Sequence, residues 1–377
     1  MLETYLAWMR GRSLPFWLER GTDPASGFFW EKLDLDGRPL VLEELRVRTQ
    51  ARQIYVFAHA AHLGLVPRAP ALTLAERALE RLRRAAWAPD GRPGWVHRLS
   101  AKGDVVDDRR DLYDHAFVLH ALAWFVRATG DVRVRQWIDE TIGFVDSGLA
   151  TAGGGWAESD RRELPRRQNP HMHAFEAFLA LHETLGDSYL ARAAEIFELF
   201  RTRFFQAGDG LLREFYGPLW ETGDAFGSER LDPGHMLEWV WLLRRYARAG
   251  GPEVGDLCAV LFSAGRRLGV DAASGFIVDM VDTAGHRLLD SRRLWPQTEY
   301  LKALLVEHEA RGDRSLLAAA DDLADRLLSS YLADCPSGTW RDVFALDGRC
   351  TADAIPASTL YHLFAAAIEI IRVRGAD

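Results

Sequence analysis

Apolar residues recur every three to four positions in six long segments of the chain. Each segment opens at a polar cluster and continues with apolar residues at i, i+3, i+4 and i+7, which is the spacing of one buried helix face. Each closes near a Gly or a Gly-Asp pair, a typical helix stop. NPHMHAFEAFLALHETLGD, which begins at Asn169, is one of the six, and IPASTLYHLFAAAIEIIRVRG, which begins at Ile355, is the last. The pattern predicts six helices, each with a face toward a core.

A short glycine motif precedes each of these helices. A glycine is followed at once, or after one residue, by an aromatic or apolar residue, and the motif recurs every 55 to 67 residues. The six glycines are Gly27, Gly94, Gly155, Gly210, Gly275 and Gly338. A second amphipathic segment follows most of the helices, and short strand-like pieces with turn signals lie between units. Each unit therefore predicts a loop, a short β-hairpin, an inner helix and an outer helix.

Six such units account for nearly the whole chain, as an open solenoid or a closed ring. Open solenoids usually have tight consensus repeats and polar capping units. Here the repeats are loose, and each inner helix opens with different polar residues. The sequence has no Pro/Ser-rich linker and no shift in composition. We therefore predict one all-α domain over residues 1–377, with six inner and six outer helices in a ring and short β-hairpins in the loops.

Composition narrows the class of protein further. The 377 residues are 48% hydrophobic and 27% charged, with a net charge of −8, which suits a globular protein with a large core and not a disordered chain. The acidic balance disfavours a nucleic-acid partner. No apolar run reaches the roughly 18 residues of a membrane span, and no export signal is visible. Cys258, Cys335 and Cys350 form neither a disulfide framework nor a zinc motif. We expect a cytoplasmic protein with reduced thiols.

Common cofactor motifs are missing from the sequence. It contains no GxxxxGK[ST], GxGxxG, GxSxG or HExxH pattern. His171 and His173 are two apart, so on a helix they point about 200° apart, and they would chelate one metal together only if the segment were a turn. The three lysines, Lys32, Lys102 and Lys302, disfavour Schiff-base chemistry. We predict an enzyme without metal or cofactor.

In a closed ring, the polar openings of the six inner helices converge on one pocket. These openings contain Arg52, Tyr113, Asp114, His115, Asn169, His171, His173, His235, Glu238, Trp295, Gln297, Glu299 and His362. The chain also has 13 tryptophans, whose flat rings suit sugar faces, while Asn, Arg and carboxylates address hydroxyl groups. A small-molecule sugar is therefore the expected partner. A homodimer remains open.

His235 and Glu238 are three residues apart, so they share a helix face and form a candidate acid–base pair. His362, in the sixth unit, is a second candidate, although a buried structural histidine is the alternative. A histidine with a pKa of about 6.5 can remove the C2 proton of an open-chain aldose at neutral pH. An arginine stabilises the enediolate oxygen. Returning the proton to C1 gives a ketose, and returning it to the other face of C2 gives an epimer.

The motifs QARQIYVFAHAAHLG, DLYDHAFVL, NPHMHAFEA, DPGHMLEWVWLL, WPQTEYLKA and STLYHL resemble, in this order, the N-acylglucosamine 2-epimerase superfamily. The resemblance extends from about residue 45 to 370 and implies an (α/α)6 barrel, which agrees with the repeat count. It also implies a cofactor-independent sugar isomerase or epimerase that works through an enediol.

The resemblance further implies a role for individual residues. His235 and His362 would be the two acid/base groups, with His362 acting at C2, and Glu238 would orient His235. The expected substrate-binding residues are Arg52, Tyr113, Asn169, His173 and Trp295. Arg48 is an alternative to Arg52, and Glu299 is assigned less securely because the WPQTE motif varies among subgroups.

Four functions stay open at this stage. The short chain and the NPHMHAFEA motif favour an aldose–ketose isomerase that interconverts D-mannose and D-fructose. A 2-epimerase acting on mannose or glucose, cellobiose or an N-acylhexosamine is the first alternative. A glycoside hydrolase is more remote; it would need two carboxylates from among Glu238, Glu299, Asp114 and Glu176. A non-catalytic binding scaffold is the last. Phosphorylated sugars also remain open, although no phosphate cradle is visible.

Overall fold

The computed structural model describes residues 1–375, which form two concentric rings of helices. The inner ring consists of α3 (Val47–His62), α5 (Leu112–Thr129), α7 (Asn169–Leu185), α9 (Pro233–Arg248), α11 (Leu294–Arg311) and α13 (Thr359–Arg374). The outer ring consists of α1 (Leu2–Trp8), α2 (Leu14–Arg20), α4 (Arg68–Ala86), α6 (Arg133–Gly148), α8 (Ser188–Leu199), α10 (Gly255–Gly269) and α12 (Arg314–Ser329). A π-helical turn, Met9–Ser13, joins α1 and α2 into one outer element.

The ring is closed by both ends of the chain. Helix α13 packs against α3, and α1 packs against both α12 and α13. The Tyr5 hydroxyl donates a hydrogen bond to the carbonyl of Leu363 at 2.9 Å. The N-terminal segment thus supplies the outer helix of the sixth unit. The predicted (α/α)6 barrel is confirmed, and the open solenoid is excluded.

Short strands lie in the loops at the ends of the helices. They are β1 (Lys32–Leu33), β2 (Leu45–Arg46), β3 (Arg98–Leu99), β4 (Val105–Asp107), β5 (Arg166–Arg167), β6 (Phe205–Gln206), β7 (Leu211–Leu212), β8 (Phe215–Tyr216), β9 (Ser291–Arg293), β10 (Val343–Ala345) and β11 (Ile355–Pro356). The pairs β3–β4 and β6–β7 are hairpins, as predicted. The other pairs join different units, and β1–β11 joins the first unit to the last.

A polar side chain from the inner helix fastens the glycine loop in four of the units. The backbone N–H groups of Trp95 and Trp156 each donate a hydrogen bond at 3.0 Å to Nε2 of a histidine on the following inner helix. Those histidines are His115 and His171. Glutamine does the same in two other units. The side-chain amide of Gln50 accepts from the backbone N–H of Phe29 and donates to its carbonyl, and Gln297 does so with Ile277. The repeat therefore encodes a structural clamp, because a buried backbone N–H needs an acceptor.

This clamp corrects one sequence expectation. His115, His171 and Gln297 bond the loops and do not line the pocket into which we expected them to converge. The clamp also explains Gly155, whose φ is +62°. A Cβ at this position would lie 2.8 Å from Nε2 of His171, so a side chain would displace the histidine.

We expect His171→Leu to lower the free energy of unfolding by ~1–3 kcal/mol, because the buried Trp156 N–H loses its acceptor while the side-chain volume is nearly kept. Urea titration measures the effect. His286→Leu is the control, since His286 is exposed and bonds only Asp282. An unchanged urea midpoint for His171→Leu would show that the clamp contributes nothing.

Of the helices described, none is both long and apolar enough to span a membrane.

Candidate active site

A cavity of about 590 Å³ opens at the N-terminal ends of the inner helices. The structure places all eight residues predicted for the site on its wall: Arg52, Tyr113, Asn169, His173, His235, Glu238, Trp295 and His362. They come from every inner helix, because equivalent turns of a closed ring lie at equal depth. Lys32, Arg46, Arg293 and Asp353 add charge to the wall.

Within residues 1–375, the His362 side chain has one hydrogen-bond partner, which contacts its Nδ1 atom. Nδ1 donates a hydrogen bond to Glu299 Oε1 at 2.8 Å, which leaves Nε2 as the acceptor nitrogen. Burial holds the pKa of His362 well below 6.5, and the positive charges of Arg52 and Lys302 lower it further. The imidazole is therefore neutral at pH 7, and its Nε2 is able to accept a proton.

His235 has the opposite charge state. Its Nδ1 lies 2.9 Å from Glu214 Oε2, and Asp232 Oδ2 lies 4.0 Å away. Burial lowers the pKa of His235, but these two carboxylates outweigh burial and raise it to about 10. His235 is thus an imidazolium at pH 7, with a proton to donate from Nε2.

Asn169 contacts the other side of the His235 ring. Its side-chain amide lies 3.0 Å from Nε2, and its Oδ1 has no partner within residues 1–375. Rotating the amide by 180° presents Oδ1 to Nε2–H, as an imidazolium requires. Asn169 therefore acts as a hydrogen-bond partner of the proton that His235 carries.

Glu238 does not form the hydrogen bond with His235 that the sequence spacing suggested. Glu214 takes that place, because β8 and the residues before it bring Glu214 against the first turn of α9. Within residues 1–375 neither carboxylate oxygen of Glu238 has a hydrogen-bond partner. Burial and the nearby Glu299 raise the pKa of Glu238 well above its ordinary value. We therefore assign Glu238 as a neutral acid that offers a hydrogen bond to a ligand.

Arg52 is a cation of the cavity wall that forms no ion pair within residues 1–375. Its guanidinium lies 4.1 Å from the ring centroid of Phe117 and donates to the Tyr113 hydroxyl at 2.9 Å. No carboxylate of residues 1–375 pairs with it. Arg48, the alternative, is bound to Asp114 at 3.3 Å and does not line the cavity. Arg52 is therefore the arginine available to ligand oxygens.

His173 lies on the cavity wall, on α7. Its Nδ1 donates to Glu176 Oε2 at 3.2 Å, and its ring stacks on Tyr113 with centroids 5.0 Å apart. Burial lowers the pKa of His173 to about 3, although Glu176 opposes this. The neutral ring offers Nε2 as an acceptor for a hydroxyl group.

Trp295 lies between His235 and His362. Its ring centroid is 5.0 Å from that of His235 and 5.5 Å from that of His362. Gly234, in the first turn of α9, permits this approach, because a Cβ there would lie 2.8 Å from the Trp295 ring. An aromatic wall flanked by one neutral and one protonated histidine is suited to the face of a small ligand and to proton transfer along its edge.

The sequence did not predict two residues that set the charges of the site, the carboxylate of Glu214 and the ammonium of Lys302. Glu214 follows a strand in a loop without periodic pattern, and no spacing links it to His235. Lys302 is fully buried and lies 2.6 Å from Glu299 Oε2. The scarcity of lysine was the available signal for Lys302, since a rare residue in a helical core requires a reason.

Two groups of donor atoms within residues 1–375 have spacing that could hold a metal ion. One comprises Glu238, Glu299 and His362, whose donor atoms lie within 4.8 Å of one another. The ammonium of Lys302 already pairs with Glu299 in this group. The other comprises His97, Asp111 and Asp114, and Arg48 already pairs with Asp114 there. In both groups a fixed side-chain cation competes with a metal.

We expect Glu214→Gln to shift the alkaline limb of the pH profile of kcat/KM to lower pH by at least about one unit. Wild-type His235 stays protonated until the pH passes its pKa of about 10, and loss of the Glu214 charge lowers that pKa. The stabilisation from His235 protonation is likewise complete below about pH 6.5 and is lost as the pH rises through about 10. kcat/KM measured from pH 6 to 10.5, with enzyme-free blanks, tests this. If the alkaline limbs of the wild type and Glu214→Gln were identical, His235 would not be the titrating acid.

Comparison with known proteins agrees with this fold. The model of the family "N-acylglucosamine 2-epimerase (GlcNAc 2-epimerase)" matches residues 27–366. A mannose-6-phosphate isomerase of Rhizobium meliloti is 33% identical, covering 96% of this chain and 95% of the relative. A D-mannose isomerase of Thermobifida fusca is 29% identical, covering 89% and 86%. The structure of cellobiose 2-epimerase from Bacillus thermoamylovorans superposes with a TM-score of 0.88 at 19% identity, covering 98% of both chains.

The chain belongs to the N-acylglucosamine 2-epimerase family. It is accordingly an enzyme of the sugar isomerase and epimerase class.

Proposed function

We propose that the enzyme is a cofactor-independent aldose–ketose isomerase that interconverts D-mannose and D-fructose. The observation that carries this proposal is the pair of histidines beside Trp295, one neutral and one protonated. Isomerisation needs one group that accepts the C2 proton and one that donates to a carbonyl oxygen. The two relatives described above that share the highest identity bear isomerase names, which supports the same choice.

The reaction proceeds through an enediol. Nε2 of His362 takes the proton from C2, the C–H electron pair forms the C1–C2 double bond, and the carbonyl pair moves to O1. Protonated His235 donates its Nε2 proton to O1. Arg52 and Glu238 hydrogen-bond the sugar oxygens while charge develops on them.

The second half of the reaction restores the enzyme. His362 returns its proton to C1, the electrons of the O2–H bond form the C2 carbonyl, and the O2 proton passes to His235. The net change converts the aldose into the ketose, and both histidines recover their starting charge. His235 also opens the sugar ring: it donates its proton to the ring oxygen, the bond from C1 to the ring oxygen breaks as the electrons of the O1–H bond form the C1 carbonyl, and the O1 proton passes back to His235.

A 2-epimerase uses the same histidines but returns the proton to the opposite face of C2. The test is to incubate the enzyme with D-mannose, D-glucose, cellobiose and N-acetylglucosamine and to identify the products by NMR. Fructose from mannose supports the proposal. Glucose from mannose with little fructose, or an epimer of cellobiose or N-acetylglucosamine alone, replaces it with the epimerase. New reducing ends from cellobiose would show hydrolysis.

A phosphorylated sugar is the second candidate substrate. Lys32 lines the cavity and forms no ion pair within residues 1–375, so it is available to a phosphate group. The name of the Rhizobium meliloti relative fits this candidate. Comparing kcat/KM for mannose and mannose 6-phosphate, in the wild type and in Lys32→Gln, tests it. A preference for the phosphate that Lys32→Gln removes selects the phosphorylated sugar, and no preference excludes it.

A further inference from the structure

Lys302 is a lysine enclosed in the barrel beneath the candidate active site. It is 0% exposed, and its Nζ lies 2.6 Å from Glu299 Oε2 and 3.5 Å from the ring centroid of Trp241. A buried ammonium costs several kcal/mol in lost hydration unless a partner compensates. The chain has only three lysines, and this one occupies a position that an apolar side chain could fill. Its charge therefore needs an explanation.

The partner of Lys302 is the carboxylate that holds His362. One oxygen of Glu299 contacts Lys302, and the other accepts the hydrogen bond from Nδ1 of His362 at 2.8 Å. The three side chains thus form a line from ammonium to carboxylate to imidazole. His362 lines the cavity, whereas Glu299 and Lys302 lie behind it.

The surroundings of Glu299 make this cation necessary. Glu176 on α7 places a negative charge near Glu299, and Glu238 on α9 has an oxygen atom within 4.8 Å of it. Glu176 is already held by His173 and by the Tyr361 hydroxyl. Burial lowers the pKa of His362, the hydrogen-bond donor to Glu299, and the charges of Arg52 on α3 and His235 on α9 act on His362 and lower it further. Burial raises the pKa of Glu299, and Lys302 opposes that rise more than any other charge does.

We propose that Lys302 is a positioning residue for the C2 proton transfer: it keeps Glu299 ionised, so that Glu299 fixes His362 with its proton on Nδ1 and its lone pair on Nε2. The proposal rests on the function proposed above. A protonated Glu299 would instead donate its hydroxyl proton to Nδ1. The ring proton of His362 would then reside on Nε2, and the base would have no lone pair to offer the substrate.

The experiment compares the wild type with Lys302→Met, which keeps length and volume and removes the charge. Lys102→Met is the matched control, because Lys102 is exposed. The direct readout is the protonation of the His362 ring nitrogens in ¹⁵N-histidine-labelled protein, assigned from the spectrum of His362→Gln. We expect Nδ1–H in the wild type and in Lys102→Met, and Nε2–H in Lys302→Met. A wild-type ring protonated on Nε2, or an unchanged tautomer in Lys302→Met, overturns the proposal.

Kinetics supply the second readout. kcat in Lys302→Met should fall by about 100-fold with KM changed less than about twofold, because the wrong tautomer affects the chemical step and not binding. In a Glu299→Gln background, the Lys302→Met change should lower kcat little further, since Lys302 acts through the Glu299 charge. Additive losses in this cycle would assign Lys302 a packing role and contradict the proposal.

The tautomer also separates this proposal from the reaction assignment. If the wild type converts none of the sugars tested but Lys302→Met still reverses the tautomer, the positioning role stands and the proposed function fails. If Lys302→Met does not fold, the wild-type tautomer and the Glu299→Gln spectrum decide the question. A His362 tautomer that is unchanged in Glu299→Gln, with wild-type kcat, would show that the Lys302–Glu299 pair does not act on the base.

Discussion

His362→Ala should lower the rate of C2 proton exchange by about 10²–10⁴-fold, the usual cost of losing a general base. The physical reason is that His362 is neutral, with Nδ1 bonded to Glu299 and Nε2 without a hydrogen-bond partner within residues 1–375. The exchange rate is measured as deuterium entering C2 of mannose in D₂O. KM should change little, because Arg52, His173 and Glu238 still hold the sugar.

His286→Ala is the control for this change, since that histidine is exposed and does not line the cavity. Circular dichroism of both variants establishes that the barrel is intact. Exchange at C2 that survives His362→Ala near the wild-type rate would show that another group removes the proton.

His235→Asn should reduce mannose isomerisation by a comparable factor, about 10²–10⁴-fold, because the site loses its one protonated histidine. The loss should be smaller with glyceraldehyde, which is too short to close a ring and needs only the proton shuttle between O1 and O2. Parallel kcat/KM measurements on the two aldoses test both parts. Equal losses on both aldoses would limit the role of His235 to proton transfer between O1 and O2. No loss on mannose would remove His235 from the mechanism.

Much of the fold was readable from the sequence because each unit repeats the same physical requirements. Six amphipathic helices, each preceded by a glycine motif, need a common core to bury their apolar faces. Loose repeats whose helices begin with polar residues favour closure into a ring. The outer helix of the sixth unit was not predicted, because it lies at the other end of the chain, in α1 and α2. The clamps of His115 and His171 were also missed, since a polar residue at a helix opening looks the same whether it bonds a loop or faces a cavity.

The residues on the cavity wall were predictable, but their charge states were not. A helix start places His235 and Glu238 on one face, yet Glu214 from a loop is the carboxylate that bonds His235. Glu214, 21 residues away in sequence, raises the pKa of His235, whereas burial and the charges of Arg52 and Lys302 lower the pKa of His362. Such neighbours are fixed by tertiary packing and leave no local pattern.

The most direct test of the account is the conversion of unlabelled D-mannose in D₂O by the wild-type enzyme, followed through many turnovers by NMR and mass spectrometry. The account predicts fructose with deuterium at C1 and recovered mannose with deuterium at C2, because the proton resides on His362 between its removal and its return. Fructose formed through many turnovers with no deuterium on carbon would contradict proton transfer through an enediol.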